Sequence, residues 1–501
     1  MTDRPEPTAP PADVHRLVAQ RLQKLEALRA AGVEPYAYRY DRTHTSAQLR
    51  EQEAALTDSG AEVRIAGRVM AKRVAGKTIF IPLYDGPGKI QIYVRRDDLG
   101  DEAFRFFKKL VDIGDIIGVS GTLFRTRTGE LTVHVTGYTM LAKSLRPLPE
   151  KYHDLSLELR SRKRYLDLIM NLETRERFRR RSAILETVRR FLLEEDYLEV
   201  ETPILQPLYG GAAARPFKTR HHALDTTLYL RIADELYLKR LIVGGFERVF
   251  EFCKDFRNEG MDRTHNPEFT MMECYAAYAD YHDMMDLFER LMRRLVERFG
   301  DDGTIVYDGV TLDFRDGFRR IRYLDALSEK AGEDVAALDE AGVRALARRH
   351  GLEPDPGASP ARILDDLFSE LVEPELVQPT FVMDHPREIS PLAKPHREDP
   401  RLVERFEAFI AGFEVCNAFS ELNDPLDQRR RFEAQMALRA KGDAEAQVLD
   451  EDYLEALETG MPPTGGLGVG LDRLVMLLTD SHSIRDVLLF PAMRPEEGRD
   501  G

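Results

Sequence analysis

Cysteine is scarce in this chain, and long apolar runs are absent. The three cysteines, Cys253, Cys274 and Cys416, lie far apart in apolar surroundings, without a metal-ligand spacing or a disulfide framework. We therefore expect buried thiols and a reducing, cytoplasmic location. No apolar stretch approaches the ~20 residues of a membrane span. The proline-rich N-terminus has no apolar core, which argues against a secretory signal and predicts a disordered tail.

The remaining composition is that of a soluble enzyme with two or three domains. The chain has 501 residues, of which 43% are hydrophobic and 32% charged. Its net charge of −15 argues by itself against a nucleic-acid partner. Local basic patches can still bind phosphates, and they occur at Arg68, Lys72, Arg73 and Lys77 and along residues 160–181. A solvated surface is the alternative for both patches.

The N-terminal third predicts a helix followed by a small β-barrel. Residues 14–31 have the apolar spacing of an amphipathic helix. Five β-rich runs follow between residues 63 and 145, with a helical interruption at 97–110 after the third. This is the order of an OB-fold, which binds oligonucleotides on a strand face. Phe80 and Gln91 alternate toward one side near Arg73, where they could bind RNA bases and phosphates. Alternatively, Phe80 belongs to the core.

The centre of the chain, residues 246–275, predicts a long-looped antiparallel hairpin. Arg257 ends its first run, and the second run places four side chains on one face: Phe269, Met271, Glu273 and Tyr275. The connecting loop, 258–267, adds three groups that can reach anionic oxygens: Arg263, His265 and Asn266. Such a face suits a charged substrate together with a nucleotide. Alternatively, the hairpin is a buried strand pair whose surface charges have no functional role.

A second strand pattern, in residues 406–424, predicts the other side of the site. Strand alternation places Asn417, Phe419 and Glu421 on one face, which suits an amino acid with a cationic tail. Glu414 falls in the opposite phase, so it joins this face only if the strand bends or bulges. Glu407 and Glu414 could then hold magnesium, or they are solvated carboxylates.

Two glycine-containing segments predict close approach of a ligand to the backbone. One is the small-residue loop 210–214. The other, 465–473, is predicted to be a glycine-rich turn that opens a helix and approaches phosphate. Arg473 falls in the first turn of that helix, where the helix dipole disfavours a cation, so an anionic partner is expected.

These motifs together resemble a class II aminoacyl-tRNA synthetase of the bacterial lysyl type. The similarity rests on FRNEGMDRTHNPEFTMMECY, GLGVGLDRLVM, FLLEEDYLEVETPIL and NAFSELND, and on GGAAARPF and LRIADELYLKRL. It covers nearly the whole chain. The resemblance implies an α+β protein in which an N-terminal OB-fold barrel precedes a catalytic domain built on an antiparallel sheet flanked by helices.

The expected division has four parts. These are a tail and helical extension at 1–60, an anticodon-binding OB-fold at 61–147, a linker at 148–170, and a catalytic domain at 171–501 with a helical insertion near 325–372.

The resemblance also assigns roles to residues that match the family motifs. Catalysis would depend on Arg257 and Arg473. The ATP-binding residues would be Arg257, Glu259, His265, Asn266, Phe269, Glu407 and Arg473. The lysine-binding residues would be Gly211, Glu235, Arg257, Glu273, Tyr275, Asn417, Phe419 and Glu421. Magnesium would bind Glu407 and Glu414, and the anticodon would contact Arg73, Phe80 and Gln91.

The implied activity is a lysine–tRNA ligase that uses ATP, L-lysine and tRNA(Lys) as a cytoplasmic homodimer with no membrane partner. Three rivals remain at this stage. They are a class II synthetase for aspartate or asparagine, a ligase that attaches lysine to a protein, and a non-catalytic RNA-binding module. Glu421 argues against an acidic substrate, because an acidic side chain would require a cation there.

Overall fold

The computed structural model describes residues 12–149, 155–440 and 447–495. The expected tail at 1–11 lies outside these ranges. Within the described residues the chain forms two compact units, one containing the residues up to Leu172 together with 494–495, and the other spanning Glu173–Met493. In the described part of the chain, no helix combines the length and apolarity needed to cross a membrane.

The first unit contains a closed β-barrel, as expected. Its strands are β1 Val63–Val69, β2 Arg73–Ala75, β3 Thr78–Tyr84, β4 Lys89–Arg95, β5 Ile116–Arg125 and β6 Leu131–Ala142. The barrel closes because β1 pairs with both β5 and β3 in the order β1-β5-β6-β4-β3-β1. Alternate residues of β3, such as Ile79 and Ile81, are fully buried in its core. The first predicted run divides into β1 and β2.

Seven helices are described in the first unit. They are α1 Ala12–Ala30, α2 Ser46–Glu51, α3 Glu53–Ser59, α4 Arg96–Leu99, α5 Asp101–Leu110, α6 Leu157–Arg162 and α7 Arg164–Met170. The predicted interruption after the third run is therefore helical, but Gly100, with φ of +87°, divides it into α4 and α5. The described part of the expected linker, 148–170, contains α6 and α7.

An eight-stranded sheet forms the centre of the second unit. Its strand order is β15-β16-β17-β18-β19-β12-β11-β7, antiparallel except for the two edge pairs. These strands are β7 Leu198–Glu199, β11 Arg248–Phe256, β12 Glu268–Ala277, β15 Arg319–Arg322, β16 Thr380–Met383, β17 Arg405–Ile410, β18 Phe413–Ser420 and β19 Thr464–Gly470. Smaller sheets contain β8 Leu205–Gln206, β9 Lys218–His221 and β10 Thr226–Leu230, and the hairpin β13 Thr304–Tyr307 with β14 Val310–Asp313.

Helices accompany this sheet, and three of them lie between residues 323 and 371. The helices are α8 Leu172–Glu194, α9 Glu235–Val243, α10 Tyr281–Phe299, α11 Tyr323–Ala331, α12 Glu340–Arg349, α13 Pro360–Leu371, α14 Pro425–Ala440, α15 Glu451–Gly460, α16 Leu471–Leu478 and α17 Ile484–Val487. Asp280 caps α10 by accepting a hydrogen bond from the backbone N–H of His282. Helices α11–α13 enclose a separate core in which Tyr323 stacks on Phe368 at 4.3 Å. All three cysteines are free and buried, as expected.

The predicted glycine-rich turn at 465–473 is wrong. Thr464–Gly470 is strand β19, which lies between β12 and β18 near the middle of the sheet. Glycine is usually unfavourable in a strand because it offers no side chain to pack. Here Leu467 and Val469 are buried in the core, while the backbone pairs along both edges. The helix that follows does carry Arg473 in its first turn, as predicted.

The conditional prediction of a bulge near Glu414 is confirmed. The register between β17 and β18 shifts after Ala408, which pairs with Cys416, so that Phe409 pairs with Glu414. Val415 is the extra residue. A bulge of this kind reverses the side-chain phase of the strand beyond it. Glu414 therefore lies on the same sheet face as Asn417.

A buried charge network supports the hairpin formed by β11 and β12. The Arg231 guanidinium lies 2.7 Å from Glu251, 3.1 Å from Asp234 and 3.5 Å from Asp255. One cation thus faces three buried carboxyl groups. Burial, followed by repulsion from Asp255, raises the pKa of Asp234 to about 10. Burial likewise raises the pKa of Asp255 to about 6.

This network predicts a specific dependence of stability on pH. Because the folded pKa of Asp234 exceeds its ordinary value of 3.8, the folded state holds a proton that the unfolded state releases between pH 3.8 and about 10. Stability contributed by this group is therefore lost as pH rises through that window. The free energy of unfolding, measured by denaturant titration, should fall between pH 7 and 9 in the parent protein. We expect Asp234→Asn to reduce the steepness of this fall by about 1.4 kcal/mol per pH unit, which corresponds to one bound proton.

Asp313 provides the matched control. Its contact with Arg315 lowers the pKa of Asp313 to about 2, so this carboxylate does not titrate between pH 7 and 9. Asp313→Asn should leave the slope unchanged. An Asp234→Asn variant with the slope of the parent protein would contradict the assignment.

Candidate active site

On one face of the large sheet, strand β19 lies between side chains of β12 and β18, and we call this region the trough. Gly466, Gly468 and Gly470 face this side and contribute no side chain. The partners across the two ladders supply the walls, namely Tyr275, Glu273 and Met271 from β12 and Phe419 and Asn417 from β18. The alternation of glycine with buried apolar residues in β19 therefore creates space on one face while completing the core on the other.

Gly466 is required by the contents of the trough. A Cβ built on this residue would overlap the Glu421 carboxylate and lie 2.6 Å from the Tyr275 ring. Gly211 has a related role in the loop above the site, since its φ is +88° and a Cβ there would lie 2.9 Å from that of Ala233. The sequence predicted close approach of a ligand to the backbone at both segments, with phosphate as the ligand at 465–473. The close neighbours of Gly466 are instead Glu421 and Tyr275, which belong to the predicted amino-acid pocket.

One end of the trough is strongly acidic. Glu235, Glu273 and Glu421 are all buried there, with exposed fractions of 5%, 7% and 1%. Burial, together with repulsion from Asp255 and Glu235, raises the pKa of Glu273 to about 8. Burial also raises the pKa of Glu421 well above its usual range, although a neighbouring ammonium opposes this shift. The Tyr275 hydroxyl donates a hydrogen bond of 3.1 Å to Glu273 Oε2.

That ammonium belongs to Lys239, which the sequence reasoning missed. Its side chain is fully buried, its Nζ forms ion pairs with both Glu235 and Glu421, and it lies 5.4 Å from the centroid of the Phe419 ring. Lys239 follows Glu235 by four residues on α9. That spacing was a possible signal, but it is also common on exposed helix surfaces.

The other end of the trough carries Arg257. Its backbone N–H donates to Pro267 O at 2.9 Å, which closes the base of the hairpin loop. Its guanidinium carbon lies 5.1 Å from the centroid of the Phe269 ring, in a cation–π arrangement. Arg257 Nε is buried and has no hydrogen-bond partner among the described residues. A buried guanidinium N–H without a partner favours binding of an anion.

Arg473 and His265 come together from distant parts of the chain. Arg473 Nη2 lies 3.1 Å from His265 Nε2, and its Nη1 donates to the backbone oxygen of Glu414 at 2.7 Å. His265 Nδ1 lies 2.8 Å from Asp262 Oδ2. This places two nitrogen-bearing side chains beside the start of α16.

The side chains of two other predicted ATP-binding residues form hydrogen bonds with backbone groups of the protein. The Asn266 amide oxygen accepts a hydrogen bond from the Ala492 backbone N–H at 3.1 Å, and its amide nitrogen donates to Glu268 O at 2.5 Å. Glu259 Oε1 accepts from the Arg215 backbone N–H at 3.3 Å. Their side chains thus hold the loop in place in this structure.

Glu407 and Glu414 lie on the site face, where Glu407 pairs with Asn417 and Glu414 pairs with Phe409 on either side of the bulge. Arg405 pairs with Glu407 at 2.5 Å and donates to Asn417 Oδ1 at 3.1 Å. Burial and repulsion from Glu407 raise the pKa of Glu414, while Arg473 opposes this shift. Two carboxylates that repel one another provide the hard oxygen donors that magnesium prefers.

A second acidic group, next to the trough, has another explanation. Asp234, Cys253 and Asp255 offer ligand atoms within 4.8 Å of one another. Arg231 already faces both carboxyl groups, and the Cys253 thiol lies 3.6 Å from Asp255 Oδ2. We interpret this group as part of the buried charge network.

The barrel carries a separate aromatic surface. Arg73 pairs with Phe80 across β2 and β3, and Phe80 pairs with Tyr93 across β3 and β4, with ring centroids 4.9 Å apart. Phe80 is half-buried on the outer face, so it is not a core residue. Gln91 shares that face and donates to Thr132 Oγ1 at 3.0 Å.

Sequence reasoning missed three ring-bearing residues of this surface. Tyr93, Phe124 and His134 have ring centroids 5.5–5.9 Å apart. The position of Tyr93, two residues after Gln91 in the same strand, was the available signal.

Comparison with known proteins agrees with both parts of this description. The family described as tRNA synthetases class II (D, K and N) matches residues 156–494, and the OB-fold nucleic acid binding domain matches residues 63–141. A lysine–tRNA ligase from Carboxydothermus hydrogenoformans is 54% identical over 97% of this chain and 99% of its own. The corresponding values are 55%, 97% and 100% for Roseiflexus castenholzii and 52%, 95% and 97% for a Staphylococcus aureus strain.

The identity extends over nearly the full length, and the two family models together match most of the chain. The chain therefore belongs to the class II tRNA synthetases and, within them, to the lysine–tRNA ligase family.

Proposed function

We propose that this chain activates L-lysine with ATP to form lysyl-adenylate and transfers the lysyl group to the 3′ end of tRNA(Lys). The observation that carries the proposal is the acidic end of the trough. Three glutamates are buried there, namely Glu235, Glu273 and Glu421. The ammonium of Lys239 pairs with Glu235 and Glu421. When ionised, this group has two more acidic side chains than basic ones, which matches the two ammonium groups of L-lysine.

The amino acid would lie along the trough with its carboxylate toward Arg257. Gly211, Glu235 and Glu273 would receive the α-amino group, Tyr275 and Glu421 the side-chain ammonium, and Asn417 and Phe419 would line the methylene stem. The aromatic ring and the carboxylate suit a cation at the far end. A neutral or shorter side chain would leave Glu421 unpaired, which opposes its activation.

ATP would occupy the opposite end. Arg257 would bridge the lysine carboxylate and the α-phosphate, Arg473 would bind the γ-phosphate, Phe269 would stack on adenine, and Glu259, His265 and Asn266 would hold the nucleotide. The unpartnered Nε of Arg257 and the 3.1 Å contact between Arg473 and His265 support these roles. The lysine carboxylate attacks the α-phosphorus and pyrophosphate leaves, so the protein contributes positioning and charge neutralisation and needs no nucleophile.

Magnesium would bind Glu407 and Glu414, with Glu407 also facing ATP. When bound, the ion supplies charge neutralisation to the phosphates. Arg405 orients Glu407 for this role through its 2.5 Å contact. After activation, the terminal ribose hydroxyl of the tRNA attacks the mixed anhydride and releases AMP.

The barrel would read the anticodon through Arg73, Phe80 and Gln91. Their shared outer face, continued by Tyr93, supports stacking of single-stranded bases. We further propose that the protein acts as a homodimer in the cytoplasm. The domain division proposed from the sequence is an extension at 1–60, an anticodon-binding part at 61–147, a connection at 148–170 and a catalytic part at 171–501.

The test of the function is ATP–pyrophosphate exchange with each amino acid in turn, followed by charging of unfractionated tRNA. Lysine alone should support rapid exchange, and tRNA(Lys) should accept it. Exchange with aspartate or asparagine would favour a class II synthetase for one of those amino acids. Lysylation of a protein would favour a ligase that attaches lysine to a protein. The absence of exchange with any amino acid would favour a non-catalytic RNA-binding module.

We predict that Arg257→Ala reduces pyrophosphate exchange by about 10³-fold or more, because it removes the cation that neutralises charge at the reacting phosphate. Exchange kinetics with saturating lysine and ATP measure this loss. Arg349→Ala, which removes an exposed arginine on α12 that pairs with Glu333, is the control. Near-normal exchange by Arg257→Ala would refute its role.

Gly466→Ala should raise the KM for lysine by about 100-fold, since its methyl group would overlap the Glu421 carboxylate. The KM for ATP should change by less than about threefold, because ATP is proposed to bind the other end of the trough. Gly357→Ala is the matched control, because Gly357 is exposed, lies outside the trough, and a Cβ there would lie no closer than 3.5 Å to its nearest neighbour, Asp355. Equal effects of both substitutions on lysine KM would argue against this position for the pocket.

Phe80→Ala should raise the KM for tRNA by about 10-fold, because stacking on one base contributes about 1–3 kcal/mol. Adenylate formation measured by pyrophosphate exchange should be unchanged, since the substituted ring belongs to the barrel. An unchanged KM for tRNA would remove Phe80 from the RNA-binding face.

A further inference from the structure

Lys239 has no role in the reaction proposed above, although it is fully buried between two proposed substrate ligands. We propose that Lys239 is a positioning residue that determines specificity. It would hold Glu235 and Glu421 from behind and set the separation at which they receive the two ammonium groups of a diamino acid. This inference rests on the proposed function, because it concerns the same pocket.

Lys239 contacts one oxygen of each carboxylate, and we call these two atoms the inner oxygens and the remaining two the outer oxygens. Its Nζ pairs with Glu235 Oε1 and with Glu421 Oε2. The other oxygen of each carboxylate faces a different direction. Glu421 Oε1 lies against Gly466 beside the Tyr275 ring, and Glu235 Oε2 lies 3.8 Å from the position of a Cβ on Gly211. Each carboxylate thus binds Lys239 with one oxygen and presents the second to a group proposed for one end of the substrate.

The surroundings of Lys239 fix its position. It lies one helical turn after Glu235 on α9, so the helix backbone sets the spacing of this pair. The Phe419 ring lies 5.4 Å from Nζ. The ionisable groups that face this cluster from the packed elements are Glu235 on α9, Glu273 and Tyr275 on β12, Arg405 on β17, Glu421 after β18 and Tyr453 on α15.

Two consequences follow for amino-acid selection. The Lys239 ammonium opposes the protonation that burial favours in both glutamates, so its removal would raise the pKa values of Glu235 and Glu421 further and weaken the binding of cations. It also keeps the two outer oxygens at a fixed separation. L-Ornithine, which is one methylene shorter than L-lysine, would then leave one carboxylate without a partner.

The test compares the parent enzyme with Lys239→Met in pyrophosphate exchange with lysine and with ornithine across pH 6–9. We expect the KM for lysine to rise about 100-fold while the KM for ATP changes less than about threefold. The pH at which kcat/KM for lysine is half-maximal should move upward by about one unit or more, because the glutamates lose their cation. The preference for lysine over ornithine should fall about 10-fold. An unchanged pH profile and an unchanged preference would overturn the inference.

A second variant decides the matter if Lys239→Met does not fold, as judged by circular dichroism. Lys239→Arg retains the charge but adds length and a planar fork. Its pH profile should match that of the parent, whereas its preference for lysine over ornithine should fall, because the outer oxygens move. A folded Lys239→Arg enzyme with the parent preference would overturn the inference.

Lys143 in the barrel provides a matched control. It is also fully buried, with its Nζ 2.7 Å from Asp112 and 2.8 Å from Asp115. Lys143→Met should reduce stability without changing the pH profile or the preference between the two amino acids. If the parent enzyme itself activates no lysine, the proposed function fails, and that result is distinguishable from a failure of the present inference.

Discussion

The burial of three carboxylates at one end of a trough is the constraint on which the rest of the site depends. An ionised glutamate removed from water is costly unless cations and hydrogen bonds replace the lost solvation. Lys239 compensates part of this cost by pairing with two of the glutamates, and the Tyr275 hydroxyl satisfies one oxygen of Glu273. The acidic groups that remain uncompensated support the proposed substrate with two ammonium groups.

The sheet makes this arrangement possible because its two faces serve different purposes. On one face, β19 contributes Leu467 and Val469 to the core. On the other, its glycines leave a channel between side chains of β12 and β18. The bulge at Val415 then adds Glu414 to the site face. A single antiparallel frame thereby positions acidic groups at one end and Arg257 at the other.

The barrel shows the same alternation of buried and outward-facing side chains. Ile79 and Ile81 fill its interior, whereas Phe80 between them lies on the outer surface against Tyr93. Period-2 alternation therefore separates the packed face from the face proposed for binding in both units. In each unit an arginine accompanies an aromatic ring on that face, Arg73 beside Phe80 and Arg257 over Phe269.

The sequence by itself determined the strand-loop-strand around Arg257, the barrel order and the position of Arg473, because side-chain alternation and helix position are local properties. Only the tertiary structure decided the rest. Glycine locally favours a turn, so β19 became a strand only through ladders on both sides. Lys239 follows Glu235 by four residues, which locally is the spacing of an exposed ion pair on a helix surface. Its contacts with Glu421 and the Phe419 ring, which are distant in sequence, bury it in the pocket. Long-range contacts supply that burial, and a local pattern does not encode it.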